Sequence, residues 1–349
     1  LMRGGAGPAA LAPHRETNRL ANFRNPARYS MTLILQNPSY SSASLTSSEL
    51  YPSVRLSNSQ LALTVYLPNP RHGFYRGPRF DWSGMLGHVQ FSGHTFFTPW
   101  RPSLHDPEGN DDVLGPAEEF DQDDPPGFGL TPPGGTFLKI GVGLLTRPDD
   151  APYRFLRPYT VAQAGVWDIA HGVSWIEFTQ NIAGNYGHAY QYVKRVSLPA
   201  DQPALSIEHR LENTGTQDLN THWYCHNFVN IDCKATGPDY GLSLAFKPSF
   251  RPKHGEEVKV NRNTISFTRL LTAPQFGLLS GPGLSGANTM IQVQNRSVRA
   301  GVRLRLSEPM TEMRLFAAPG AVCPEPFLRL HIPPGTSRTW QTDYEFFGF

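Results

Sequence analysis

In the run THWYCHNFVNID, residues 221–232, two histidines stand four apart among aromatic and β-branched residues. On a helix, His222 and His226 would sit one turn apart and could share a zinc ion. Trp223, Tyr224, Phe228, Val229 and Ile231 favour a strand instead, closed by Asn230, Asp232 and the turn at Gly237-Pro238. At roughly 3.3 Å per strand residue the two rings lie about 13 Å apart on one face, too far to hold one metal ion. No metal site is expected. Two readings remain, an acid–base catalyst and a packed strand that happens to contain histidine. If Trp223, Cys225 and Asn227 face one way, then His222, Tyr224, His226 and Phe228 face the other.

Two further stretches carry more polar chemistry than strands require. HGFYRGPRFDWSGMLGHVQFSGHTFFTPW (72–100) places Arg76, Arg79, Asp81, His88 and His94 among aromatic residues that include Trp82. The planar guanidinium fork binds carboxylates or sugar hydroxyls, and Trp and Phe faces cover sugar rings. The competing reading is an Arg79–Asp81 surface pair over an aromatic core. In VCPEPFLRLHIPPGTSRTWQTDYEF (322–346), Glu325 lies between two prolines that hold it in a stiff, extended segment. A carboxylate in such a rigid, partly apolar place has a raised pKa and can accept a proton near neutral pH.

The elements that must position these groups read as strands. Examples are QLALTVYLP (60–68), HVQFSGHTFF (88–97), TFLKIGVGLL (136–145), SWIEFTQNI (174–182), AYQYVKRVSL (189–198) and MIQVQNRSVRAGVRLRL (290–306). In ALSIEHRL, Leu205, Ile207 and Leu211 alternate with polar residues, as a half-buried strand requires. DIAHGVSW reads as a hairpin about Gly172. No long amphipathic period is present, so the chain is expected to be all-β, a large antiparallel sandwich with few or no helices. Between residues 102 and 135 the pattern stops: nine acidic residues occur with no Lys or Arg. This segment reads as a solvated acidic loop inserted into the domain. Glu118-Glu119-Phe120 is its part most suited to fold inward, because Phe120 has something to bury.

Composition narrows the function classes. Lys plus Arg number 31 against 29 Asp plus Glu, a formal charge of +2, which gives no electrostatic reason to expect nucleic acid as a partner. No apolar run approaches the ~20 residues of a helical membrane span, and no membrane partner is expected. The three cysteines, Cys225, Cys233 and Cys323, form no CxxC pattern and favour a reducing, cytoplasmic setting. Residues 1–30 carry five Arg and a single Glu among Ala, Gly and Pro, and read as a basic arm, either disordered or targeting. Residues 31–349 are taken as one domain.

Together the three polar stretches resemble the aldose 1-epimerase (galactose mutarotase) superfamily. HNFVNID resembles its histidine-bearing strand, EPFLRLHIPPGTSRTWQTDYEF its closing element, LSIEHRLENTG its central strand, and RFDWSG…GHTFF stands in the place of its Arg and first His. The resemblance covers roughly residues 50–349 and implies a β-supersandwich with a sugar-binding cleft. It implies Glu325 as general base, His226 as general acid, and Arg79 and His94 as substrate-binding groups. Arg76, Trp82, Glu119, His222 and Asp232 are further candidates to contact the sugar; no residue matches the family's central Asp, for which Asp232 and Asp239 are only nearby. No cofactor is implied. A sugar or glycan is the expected partner, to a monomer or homodimer. Two alternatives stay open on the same fold: a lyase or other glycoside-active enzyme, and a carbohydrate-binding protein without catalysis.

Overall fold

Alternating apolar residues on long strands must be buried between layers, and in the computed structural model two antiparallel sheets supply them. The structure describes residues 50–349; the 1–30 arm lies outside them. The larger sheet has ten strands, in the order Val258–Asn261, Thr264–Phe267, Tyr240–Leu244, Ile291–Asn295, Ala300–Leu306, Ser337–Gly348, Ala204–Asn213, Ala189–Ser197, Trp175–Ala183 and Trp167–His171. The smaller has six: Ser249–His254, Gln275–Ser280, Glu312–Ala318, Ala321–Ile332, Leu219–Asn227 and Pro116–Phe120. Two further sheets have four and three strands. Among the described residues one short 3-10 turn, Phe128–Leu130, is the only helical element of the element order. The large antiparallel all-β sandwich expected from the sequence is the architecture observed.

The main core lies between the two large sheets. Ile176, Phe178, Tyr192 and Ile207 from the ten-stranded sheet meet Trp223, Cys225, Leu315 and Leu328 from the six-stranded one. A second, aromatic core with Phe80, Trp82, Phe137 and Phe228 covers part of the opposite face of the six-stranded sheet. The period-2 rule therefore decides the strand Leu219–Asn227: Trp223 and Cys225 point into the main core, while Tyr224 and Phe228 point to the other side.

Three expectations change in detail. TFLKIGVGLL is two strands, Thr136–Lys139 and Gly143–Thr146, because Gly141 takes φ 79 and turns the chain. Residues 290–306 likewise form a hairpin, Ile291–Asn295 with Ala300–Leu306. The acidic segment is not a solvated loop throughout. Pro116–Phe120 is a buried strand at the edge of the six-stranded sheet, paired with Trp223–Asn227. Asp106 and Glu108 remain exposed.

That edge strand can bury two adjacent glutamates because each meets its own cations. Glu118 reaches Lys194 Nζ at 2.9 Å and His209 Nε2 at 2.9 Å, on the core side. Glu119 faces the other way, 3.1 Å from Lys139 Nζ and 2.8 Å from Arg79 Nε. Despite burial, these charges hold the Glu118 carboxyl down at about 2, and Glu119 also below the ordinary glutamate range.

Candidate active site

Three adjacent strands of the six-stranded sheet build the site on the face away from the main core. Arg314 on Glu312–Ala318 pairs across the ladder with Glu325 on Ala321–Ile332. The next strand, Leu219–Asn227, carries His226, whose Nε2 stands 3.1 Å from Glu325 Oε1. Both side chains are buried at the base of a cleft of about 540 Å3. Asp111 and Gln122, from the acidic segment, form part of its wall without filling it.

The prolines that flank Glu325 open the sheet at this point. The ladder to Glu312–Ala318 runs through Pro324 and Pro326 unbroken. The ladder to Leu219–Asn227 stops at Tyr224–Phe327 and touches again only at the bridge Val229–Val322. Proline has no N–H to donate, so this side of the strand lacks ladder bonds. The buried Asn227 amide replaces them, its Nδ2 donating to Pro324 O at 2.9 Å while Tyr344 Oη donates to its Oδ1 at 2.8 Å.

Aromatic rings fix the imidazole. His226 stacks on Phe228 at 4.0 Å, Phe228 on Trp100 at 4.8 Å, and the Arg101 guanidinium caps Trp100 at 4.4 Å. Phe80 and Phe316 meet the same imidazole edge-on. His226 Nδ1 is buried with no hydrogen-bond partner among the described residues.

Burial sets the protonation of the pair. It pushes Glu325 up to about 8, against the opposing pull of Arg79 and Arg314. His226 falls well below the ordinary histidine range, first through burial and then through the Arg79 charge. Near pH 7 the pair is therefore uncharged and holds one proton, carried by Glu325. The family resemblance implies His226 as the acid and Glu325 as the base, with the proton resting on His226. Desolvation, which disfavours both charges, reverses that resting state.

Arg79 reaches the cleft but not as a surface partner of Asp81. Its guanidinium binds Asp111, Glu119 and Tyr224 Oη, the last at 2.7 Å. Asp81 is buried and bonds Ser83 and Lys194 instead. Glu119 does not line the cleft; it anchors Arg79 and Tyr224 from behind. Trp82 is a buried core residue whose Nε1 donates to Gly77 O at 2.8 Å. Arg76 pairs with Glu108 outside the cleft. His94 and Asp232 bond each other at 2.8 Å, and neither reaches the cleft wall. His222 lines a neighbouring cavity beside Arg329. The structure thus brings together Glu325, His226 and Arg79 from the sequence candidates. It adds Arg314, Trp100, Arg101 and Phe276, none of which has a local motif that sets it apart.

A different cavity, of about 520 Å3, lies over the outer face of the ten-stranded sheet. Its Arg195–Glu177 pair is satisfied at the surface, and its histidine, His209, is held from the core side by Glu118, which does not line the cavity.

The architecture is that of the galactose mutarotase-like β-sandwich. A galactose mutarotase-like protein from Clostridium acetobutylicum superposes with a TM-score of 0.54 at 12% identity, over 85% of this chain and 95% of that one. A candidate aldose 1-epimerase from Escherichia coli K12 gives 0.52 at 13% identity, over 85% and 99%. The likeness is one of fold. Neither a protein-family model nor a curated protein matches the sequence.

Proposed function

We propose that this chain is an aldose 1-epimerase-like isomerase that interconverts the anomers of a reducing sugar, with Glu325 and His226 as a one-proton acid–base pair. The observation that supports this is their 3.1 Å contact at the base of an open cleft. Opening a cyclic hemiacetal removes the proton of the O1 hydroxyl and supplies one to ring oxygen O5. Both oxygens are bonded to C1, so an acid and a base in mutual contact match them.

In this reading neutral His226 takes the O1 proton while Glu325 delivers its proton to O5. The C1–O5 electron pair leaves with O5 as C1=O forms. Rotation about C1–C2 turns the other carbonyl face toward O5. Closure returns the His226 proton to O1 and the O5 proton to Glu325, which restores the pair. The family resemblance implies the opposite assignment, with Glu325 taking the O1 proton and His226 protonating O5; the raised Glu325 and lowered His226 pKa favour the exchanged roles. Arg79 and Arg314 stabilise the Glu325 carboxylate while the sugar is open.

Three arginines at the cleft also fit a lyase, in which they would neutralise a uronic carboxylate while His226 took a carbon-bound proton. Arg79 and Arg314 are already engaged by Glu119, Asp111, Glu312 and Gln122, which favours the isomerase. The test is polarimetry or NMR on freshly dissolved α-glucose and α-galactose, with Glu325→Gln beside the wild type. Accelerated exchange that the variant loses is expected. No acceleration by folded protein, with unsaturated product released from a uronic-acid polysaccharide, would overturn the reading.

A further inference from the structure

The cleft does not end at the acid–base pair. A second cavity, of about 410 Å3, shares two walls with it, Arg314 and Gln122. Where they meet, Arg314 Nη1 donates a hydrogen bond to the Gln122 amide oxygen, side chain to side chain. Beyond this bond Asp123, His222, Glu312 and Arg329 surround Phe327. These groups share strands with the pair: Arg329 lies four residues after Glu325, and His222 four before His226. Four strand residues span roughly 13 Å, within reach of a second pyranose ring joined to one at the pair.

The lining is suited to hydroxyl groups. A hydroxyl both donates and accepts, and needs acceptors and donors facing it. Asp123 and Glu312 supply carboxylate acceptors. Arg329 Nε donates to His222 Nε2 at 3.0 Å, which leaves His222 Nδ1–H as a donor. The terminal nitrogens of Arg329 have no partner among the described residues. Two carboxylates face two guanidinium groups, Arg314 and Arg329, so the wall has no net charge to select an anion. Phe327 offers no open stacking face, since Tyr224 covers one side at 4.5 Å and Arg314 caps the ring at 4.3 Å. Recognition there is by hydrogen bonds.

We propose that this cavity is a second sugar subsite, and that the substrate is a reducing disaccharide or longer oligosaccharide whose reducing end reaches Glu325 and His226. The identity of the reacting end rests on the anomer-interconversion reading; the subsite does not.

The experiment measures binding and turnover separately. Isothermal titration calorimetry compares maltose and lactose with glucose and galactose on wild type, Arg329→Ala and Asp123→Ala. Tighter binding of one disaccharide by about tenfold or more, with that ratio falling toward one in both variants, is expected for lost charged hydrogen bonds. Anomer exchange on the same sugars should show the same ratio in kcat/KM. Disaccharide preference with no exchange retains the subsite and removes the isomerase reading. Equal binding of mono- and disaccharides, a preference the variants leave intact, or no binding of any of the four sugars overturns the subsite.

Discussion

His226 and Glu325 stand 3.1 Å apart on neighbouring strands whose ladder has already opened at that level. The contact is thus made by side chains across a gap between backbones. The two prolines beside Glu325 create the gap, and Asn227 spans it. Sequence next to Glu325, not distant packing alone, sets their separation.

Glu325→Gln should remove anomer exchange by about a hundredfold or more, because the amide cannot pass a proton. Its effect on stability depends on pH. A carboxyl raised from 4.5 to about 8 by folding contributes stability below 4.5 that is lost as pH climbs through 8. His226, depressed below 6.5, works in the opposite sense below that value, where the unfolded chain takes up the proton more readily. The two slopes oppose below pH 6.5, and of the pair only Glu325 acts from there to about 8; comparison with Glu325→Gln cancels other titrating groups such as Asp121, itself raised to about 7. Wild type should lose about 2 kcal/mol over that window relative to Glu325→Gln, read from urea unfolding at each pH. Parallel curves would refute the raised pKa.

The rate of exchange should follow a bell in pH. The alkaline limb should lie near pH 8, where Glu325 loses the proton of the pair. The acid limb should lie well below 6.5, where His226 gains one. Polarimetric rates of kcat/KM, corrected for spontaneous exchange, report both. An alkaline limb near pH 5 or an acid limb above 6.5 would contradict these protonation states.

Asn227→Ala leaves Pro324 O and Tyr344 Oη without the partner that holds the two site strands. The variant should lose about 2–3 kcal/mol of stability. Its kcat should fall by about tenfold or more with a smaller change in KM, since geometry rather than sugar binding is disturbed. Thermal melts and steady-state kinetics at a temperature where the variant is folded separate these effects.

Glu119→Gln leaves Arg79 and Lys139 with a neutral partner in a buried place. A loss of about 3–5 kcal/mol is expected in denaturant unfolding. Glu108→Gln, at the exposed end of the same acidic segment, should change stability by no more than about 0.5 kcal/mol. Equal effects would mean that the segment behaves as one solvated loop.

Much of the sandwich was legible because alternation is a local signal. Leu205, Ile207 and Leu211 repeat on one side of their strand, and all three are buried in the main core. Glu325 was legible for a similar reason, since its two prolines sit beside it in sequence. Arg314 was not, as a lone arginine among alternating residues looks like any solvated strand position. The acidic segment misled because its neutralising partners are remote. Glu118 meets Lys194 and His209, and Glu119 meets Arg79 and Lys139, and no local pattern announces pairs that close across such distances along the chain. The raised pKa of Glu325 was legible from its setting, but the lowered pKa of His226 was hidden, because it depends on how much water the folded cleft excludes.

The two glutamates of the edge strand have a consequence for assembly. An edge strand is held by one neighbour only and is the element most prone to docking out of step. A slip by a single residue exchanges the faces of all its side chains. Here that slip would turn Glu118 toward Arg79 and Glu119 toward Lys194, and offset each carboxylate along the strand from the cations shaped to receive it. Pro116–Phe120 therefore works as a two-bitted key: both charges seat together or neither does. Because Asp111 and Gln122 flank this strand, its seating also decides whether the cleft has its wall.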